Sequence, residues 1–217
     1  MQLNARLVAL TQPVIEIPAT SSEGLVAYCA RVSSNNQNNP DVEKLLSYCI
    51  RNKHWSVFEM VNAVVEVEAP RDITRQLLRH RSFSFQEFSQ RYSDDIKFTE
   101  REARRQDEKN RQNSIDDVPE YHTNLFNTRI NSVISTIGAY YKELRAYQIA
   151  KECARVILPE GLTMSRLYIN GTLRSYLHYL EVRLDVSTQY EHRLLAEEIK
   201  KALTPAFPIV MRLVNDQ

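Results

Sequence analysis

Glycine is scarce in this chain. The 217 residues include only Gly24, Gly138, Gly161 and Gly171. No two of these have the spacing of GxGxxG or GxxxxGK, so neither glycine-rich phosphate cradle exists here. The same count excludes a GxSxG nucleophile elbow. A phosphate ligand must then be met by side chains or helix N-termini. Cysteine is nearly as sparse: Cys29, Cys49 and Cys153 are far apart, odd in number and form no CxxC. That argues against a disulfide framework or zinc ribbon, and reads as three small buried thiols without a reactive signature. The five histidines, His54, His80, His122, His178 and His192, make no HExxH and no i,i+4 pair. No metal site is expected, and His122 and His192 read as surface residues. The formal net charge is only +1, so no global field recruits nucleic acid or anionic membrane. No long uncharged apolar run occurs, and the start MQLNARLVAL lacks a basic and then apolar leader. A reducing, aqueous, cytoplasmic setting is expected.

What is present is ordinary in bulk: 43% hydrophobic and 25% charged residues, enough for one sizeable core. Leu7–Ile17 reads as a short interrupted strand, and Ser22–Arg31 as a helix. A polar loop, Ser33–Asn39, leads to a helix with Asn39 as cap and Pro40 at its first position. Leu45, Leu46, Cys49 and Ile50 form that helix's apolar stripe. Val61–Glu68 is a strand, and Pro70 opens a helix to about Arg81. Glu100–Arg111 is either a solvated surface or a mobile flap. From Pro119, Ile130, Val133, Ile134, Ile137, Tyr140, Tyr141 and Leu144 recur at helical steps. They predict a helix of about seven turns, broken or not at Gly138, of the kind that forms a domain spine or an oligomer interface. Ser165–Asn170 is a strand; Gly171–Leu184 and Thr188–Leu203 are helices. The expected fold is α+β: one domain over residues 1–217, a central antiparallel sheet flanked by helices, one of them long.

The segment Gln76–Arg91, QLLRHRSFSFQEFSQR, carries the chemistry. On a helix Gln76, Arg79 and His80 share a face, and Arg75 and Arg79 lie one turn apart. Like charges at that spacing favour an anion or carboxylate between them. If Phe85–Arg91 is a strand, Glu87, Ser89 and Arg91 point to one side. A carboxylate, a hydroxyl and a guanidinium there suit a phosphorylated, hydrogen-bonding ligand, or else form an exposed salt-bridged strand. An arginine-rich nucleic-acid-binding module is the competing reading, and near-neutral charge opposes it.

Arg79, His80, Arg81, Ser84, Ser89 and Arg91 follow the pattern RHRxxSxxxxSxR over 13 residues. That pattern resembles the signature of the flavin-dependent thymidylate synthases, the thymidylate synthase complementing protein family. Ala30–Ser33, Lys53–Glu59, Arg104–Ser114, the ARVILP turn at Ala154–Pro159 and Leu173–Gln189 resemble further family segments. The resemblance implies methylation of dUMP to dTMP. Methylenetetrahydrofolate gives the one-carbon unit, and FAD reduced by NADPH supplies hydride, in a homotetramer with shared sites. A flavin-binding relative without methyl transfer is the alternative. It implies a dUMP site of Gln76, Arg79, Glu87, Ser89, Arg91, Arg155 and Arg183, with Arg79, Arg91 and Arg155 on the phosphate. It implies an FAD site of His54, Ser56, Glu59, His80, Arg81, Arg174 and His178, with Arg81 and Arg174 on the pyrophosphate. The chain has His178 and Ser187 where many relatives carry Asn and His.

Arg183 is the implied catalytic residue. Uracil must act as a carbon nucleophile, and a guanidinium beside its carbonyl oxygens stabilises the charge that develops there. The plainer alternative pairs Arg183 with Glu181 or Asp185 on a helix surface. Arg174 and Arg183 are nine residues apart, half a turn out of phase on a straight helix. They serve different subunits' sites, or the helix ends before Arg183. Trp55 reads as packing, as do Tyr140, Tyr141 and Tyr147.

Overall fold

The computed structural model describes residues 3–214. Four antiparallel strands form its main sheet in the order β1 (Asn4–Leu10), β2 (Asn62–Pro70), β6 (Met164–Thr172) and β3 (Ser84–Glu87). Alternation sets the two faces. Ala63, Val65, Val67 and Ala69 of β2 are buried beside Ser165, Leu167, Ile169 and Gly171 of β6. On the other face Glu66 lies between Arg6 and Tyr168. Arg6 meets Glu66 at 2.9 Å. The Tyr168 hydroxyl bonds the same carboxyl and, with Arg6, holds it below the usual carboxylate range.

Helices cover the apolar face. α7 (Tyr190–Leu203) packs on β1 and β2, and α6 (Leu173–Arg183) packs on α7 and on the 3₁₀ turn Trp55–Glu59. α1 (Ser22–Ala30), α2 (Val42–Arg51) and α8 (Pro208–Leu213) complete that layer, while α3 (Arg71–Leu77) joins β2 to the turn before β3. Gly24 admits a close approach: a Cβ there would stand 2.0 Å from the Ala19 carbonyl oxygen. A small hairpin, β4 (Arg105–Gln106) with β5 (Ser114–Ile115), organises the charged 100–111 region. α4 (Glu120–Ala146) runs 27 residues without a break at Gly138, and α5 (Lys151–Ala154) follows it. Among the described residues no helix is long and apolar enough to cross a membrane.

The α+β class, the antiparallel sheet and the long helix are as expected; several boundaries are not. β1 ends at Leu10, before Pro13. Asp41, not Asn39, caps α2, accepting from the Lys44 N–H at 3.2 Å; Asn39 instead accepts from Asp41 N–H at 2.8 Å. β6 runs on to Thr172, whose hydroxyl then caps α6 through Ser175 N–H. The sequence reading has no counterpart to α5 or α8. Cys49 is buried, but Cys29 is half-buried and Cys153 exposed. Trp55 is half-buried against the core. On α4 only Tyr141 is buried, whereas Val133 (41% exposed) and Tyr140 (57%) lie open, as does Tyr147 beyond its end. The long helix is therefore no spine of a single chain: its apolar stripe has little to pack against.

Candidate active site

Two boundary differences reshape the arginine-rich segment. α3 stops at Leu77, so Gln76, Arg79 and His80 do not share a helical face. Arg79, His80 and Arg81 instead lie in a turn pinned at both ends. His80 N–H donates to Leu77 O at 3.0 Å, Phe83 N–H to His80 O at 3.2 Å, and Ser175 Oγ to Ser82 O at 3.1 Å. The buried Phe83 ring packs 4.9 Å from Tyr176 and 6.0 Å from Tyr179, centroid to centroid. β3 ends at Glu87, so Glu87, Ser89 and Arg91 form no strand face. Glu87 turns inward to accept from Ser165 Oγ at 2.8 Å, with Arg71 3.5 Å away. Ser89 Oγ accepts from Arg91 N–H at 3.3 Å inside a turn.

Arg183 closes α6, and its Nε donates to Nε2 of His80 at 2.9 Å. That contact sets the His80 tautomer: Nε2 is bare and Nδ1 holds the proton. The surface-pairing alternative fails. Asp185 accepts from Ser187 N–H and Oγ at 2.8 and 2.5 Å, and Glu181 faces His178 at 3.6 Å. Among the described residues no carboxylate pairs with Arg183, and its two terminal nitrogens are free for a ligand.

The surroundings are aromatic and neutral. Tyr179 lies 5.0 Å from His80 and 5.8 Å from His192, with its hydroxyl buried and unpartnered. His192, expected on the surface, is 0% exposed. Its Nδ1 stands 3.1 Å from Gln76 Oε1. Gln76 Nε2 donates to Gln189 Oε1 at 2.6 Å, and Gln189 Nε2 donates to Glu191 Oε2 at 2.9 Å. Neither Gln189 nor His192 was among the expected site residues. The missed signal is helical spacing: His192 occupies the stripe of Leu195, Ala196, Ile199 and Leu203, all buried.

Burial, seconded by Arg183, lowers the His80 pKa to about 4 and, with His80 also nearby, that of His192 to about 3. Both rings are neutral at physiological pH. Their contribution to stability is complete above the unfolded histidine pKa of about 6.5. It is lost as pH falls from there through about 4 and then about 3, because the unfolded chain binds protons that the folded one refuses. Unfolding free energy by urea titration should accordingly drop between pH 7.5 and 5. The drop should be shallower in His80→Gln.

The remaining expected residues fall into two other groups. Arg91 meets Glu152 at 3.5 Å with both exposed, a weak pair, and Arg155 nearby in sequence has no carboxylate partner among the described residues. Lys151 and Arg145 hold Asp94 at 3.3 and 2.7 Å, tying this segment to α4 and α5. No side-chain contact joins Arg91 or Arg155 to Arg183 within one chain, among the described residues. In the third group Arg174 Nη1 donates to Glu59 at 2.5 Å, its Nε faces His178 Nε2 at 3.4 Å, and Trp55 packs 4.7 Å from His178. His54 and Ser56 flank it, exposed. α6 continues through Arg183, which excludes an earlier end and puts Arg174 and Arg183 on opposite faces. Arg79 and Arg81 project, exposed and without carboxylate partners among the described residues. Guanidinium groups free of carboxylates suit phosphate oxygens, and the His54–Ser56–His178 ledge offers donors and acceptors for the polar edges of a ligand.

Residues 17–209 match the model of the family described as thymidylate synthase complementing protein. A protein of Synechocystis sp. named flavin-dependent thymidylate synthase is 51% identical, over 96% of this chain and 97% of its own length. One of Paramecium bursaria Chlorella virus 1, named probable flavin-dependent thymidylate synthase, is 43% identical over 98% and 99%. Among solved structures, the UMP/dUMP methylase PolB from Streptomyces cacaoi, bound with 5-Br dUMP, superposes with a TM-score of 0.83. It is 25% identical, covering 99% of this chain and 95% of that one.

Proposed function

The chain belongs to the thymidylate synthase complementing protein family, the flavin-dependent thymidylate synthases, and from that premise we propose that it is an enzyme methylating dUMP to dTMP with a bound flavin. One observation carries the reading: Arg183 is anchored to neutral His80 at 2.9 Å and lacks a carboxylate partner among the described residues. An unneutralised guanidinium in a half-buried, aromatic pocket suits a charge that appears only during reaction. Methylation at a uracil ring carbon pushes electron density onto the ring carbonyls, and the free Arg183 N–H groups are the donors that stabilise those oxygens. His80 assists by staying uncharged, so it orients Arg183 without competing for the developing anion.

Around this centre we assign Gln76, Arg79, Ser89, Arg91 and Arg155 to dUMP, the arginines to its phosphate. Glu87 acts by holding Ser165 and Arg71 beneath the site. The flavin is FAD, held by His54, Ser56, Glu59, His80, Arg81, Arg174 and His178. When bound it carries hydride, delivered by NADPH, to the one-carbon unit given by methylenetetrahydrofolate. Arg91 and Arg155 stand apart from Arg183, and Val133 and Tyr140 are left open on α4. Both features support a homotetramer in which one chain's arginines complete another's site. The whole chain acts as one domain, and its free thiols suit the cytoplasm.

The test is tritium release from 5-labelled dUMP with methylenetetrahydrofolate and NADPH, run on protein sized by sedimentation. Yellow protein, of four-chain mass, releasing label only with all three substrates is the expected result. Colourless protein after incubation with excess FAD overturns it.

A further inference from the structure

Four side chains between α3 and α7 form a hydrogen-bond chain whose direction is forced. Glu191 begins it, and a carboxylate only accepts. Gln189 must therefore turn its Nε2 to Glu191 (2.9 Å) and its Oε1 to Gln76. Gln76 must then give Nε2 to Gln189 (2.6 Å), leaving its Oε1 for His192 (3.1 Å). His192 can answer an oxygen only with Nδ1–H. Its other nitrogen, Nε2, is then a bare lone pair, and it is indeed the buried atom without a partner. Every amide orientation follows from one anion at the rim of α7 and one neutral ring in the core.

Resting on the nucleotide site assigned above, we propose that His192 is a positioning residue that, with Glu191 acting through Gln189, holds the Gln76 amide so that it presents N–H, and not C=O, to the nucleotide. Gln76 Nε2 has two hydrogens and Gln189 takes one; the second is kept for an oxygen of the ligand. With the polarity reversed, Gln76 would offer a carbonyl to a ligand that is all acceptors along its phosphate and at its uracil carbonyls. His192 touches neither substrate nor flavin in this scheme and acts through Gln76 alone.

His192→Leu removes the donor, whereas His192→Asn places an amide N–H where Nδ1–H stood. The leucine variant should raise KM for dUMP about tenfold with kcat changed far less, the effect of one lost polar contact. The asparagine variant should restore KM to within about threefold, whatever either does to the thermal midpoint. Should the leucine variant not fold, Glu191→Lys on the accessible rim carries the test. A lysine only donates, which inverts the chain, and His192 can follow by switching tautomer. KM should rise, although added positive charge by itself would favour an anionic substrate. An unchanged KM in His192→Leu, an asparagine variant no better than leucine, or a lowered or unchanged KM in Glu191→Lys overturns the proposal. Wild-type label release, measured alongside, separates the causes. Its absence overturns the reading of the site; its presence with unmoved variants overturns only the role of His192.

Discussion

Arg183→Ala should lower kcat for dUMP by a factor of about 10² to 10³, the usual effect of deleting a donor aimed at developing charge. Flavin absorbance and thermal midpoint should stay at their wild-type values. Arg183 ends α6 half-buried, and its one side-chain hydrogen bond among the described residues is to His80 Nε2 at 2.9 Å, so truncation orphans no carboxylate and empties no core site. The loss should appear in kcat more than in KM, because the charge it stabilises belongs to the transition state. Arg183→Lys should recover little. An ammonium cannot bond His80 through Nε and also present two parallel donors. Stopped-flow reduction of the flavin by NADPH separates the steps: it should proceed in Arg183→Ala while label release does not. Full label release in that variant removes Arg183 from the mechanism.

The parts of this site legible in sequence are those whose signal is local. Alternation in Met164–Thr172 and the helical stripe through Leu173, Tyr176, Leu177 and Leu180 place β6 and α6, and hence Arg183, within a residue or two. The spaced arginines and serines of Arg79–Arg91 mark the neighbourhood through a family pattern. What stays hidden depends on contacts distant in sequence. α3 ends at Leu77 with no proline or glycine to announce it, because Phe83 is drawn into the core and Ser175 holds Ser82. The Glu87–Ser89–Arg91 face dissolves after Phe88, whose N–H bonds Arg166 O at 2.8 Å, when the chain turns and Tyr92 N–H bonds Ser89 O at 3.1 Å. Asp185 is unavailable to Arg183 because Ser187 has captured it, a local turn no periodicity reveals. His192 was readable: a histidine inside an apolar helical stripe is buried more often than it is exposed by accident of position. Its partner Gln76 lies 116 residues away, and no spacing argument reaches it.

The same long-range packing makes Gly171→Ala the most damaging small substitution near the site. A Cβ at 171 would lie 2.3 and 2.6 Å from two carbons of the Phe83 ring, far inside van der Waals contact. Neither side yields easily. Gly171 is in β6, paired with Ala63 of β2 and next to Asn170, which is paired on both flanks of the sheet, and Phe83 is enclosed by Tyr176, Tyr179 and Phe85. Overpacking of this kind costs about 1–3 kcal/mol, and in a chain of this size each 1 kcal/mol lowers Tm by about 2–4 °C. The consequence for activity is larger than the change in size suggests. Phe83 N–H closes the turn on His80 O, so a displaced ring moves the acceptor that orients Arg183. Gly171→Ala should thus lose both several degrees of Tm and most of its label release. Phe83→Leu, by contrast, leaves a cavity and lowers Tm by itself. In the double variant the smaller leucine vacates the space that the alanine methyl needs, so the two losses should be far less than additive. Strict additivity in Tm across that cycle would mean that the strand, and not the ring, absorbs the strain, and that His80 is held by something other than Phe83.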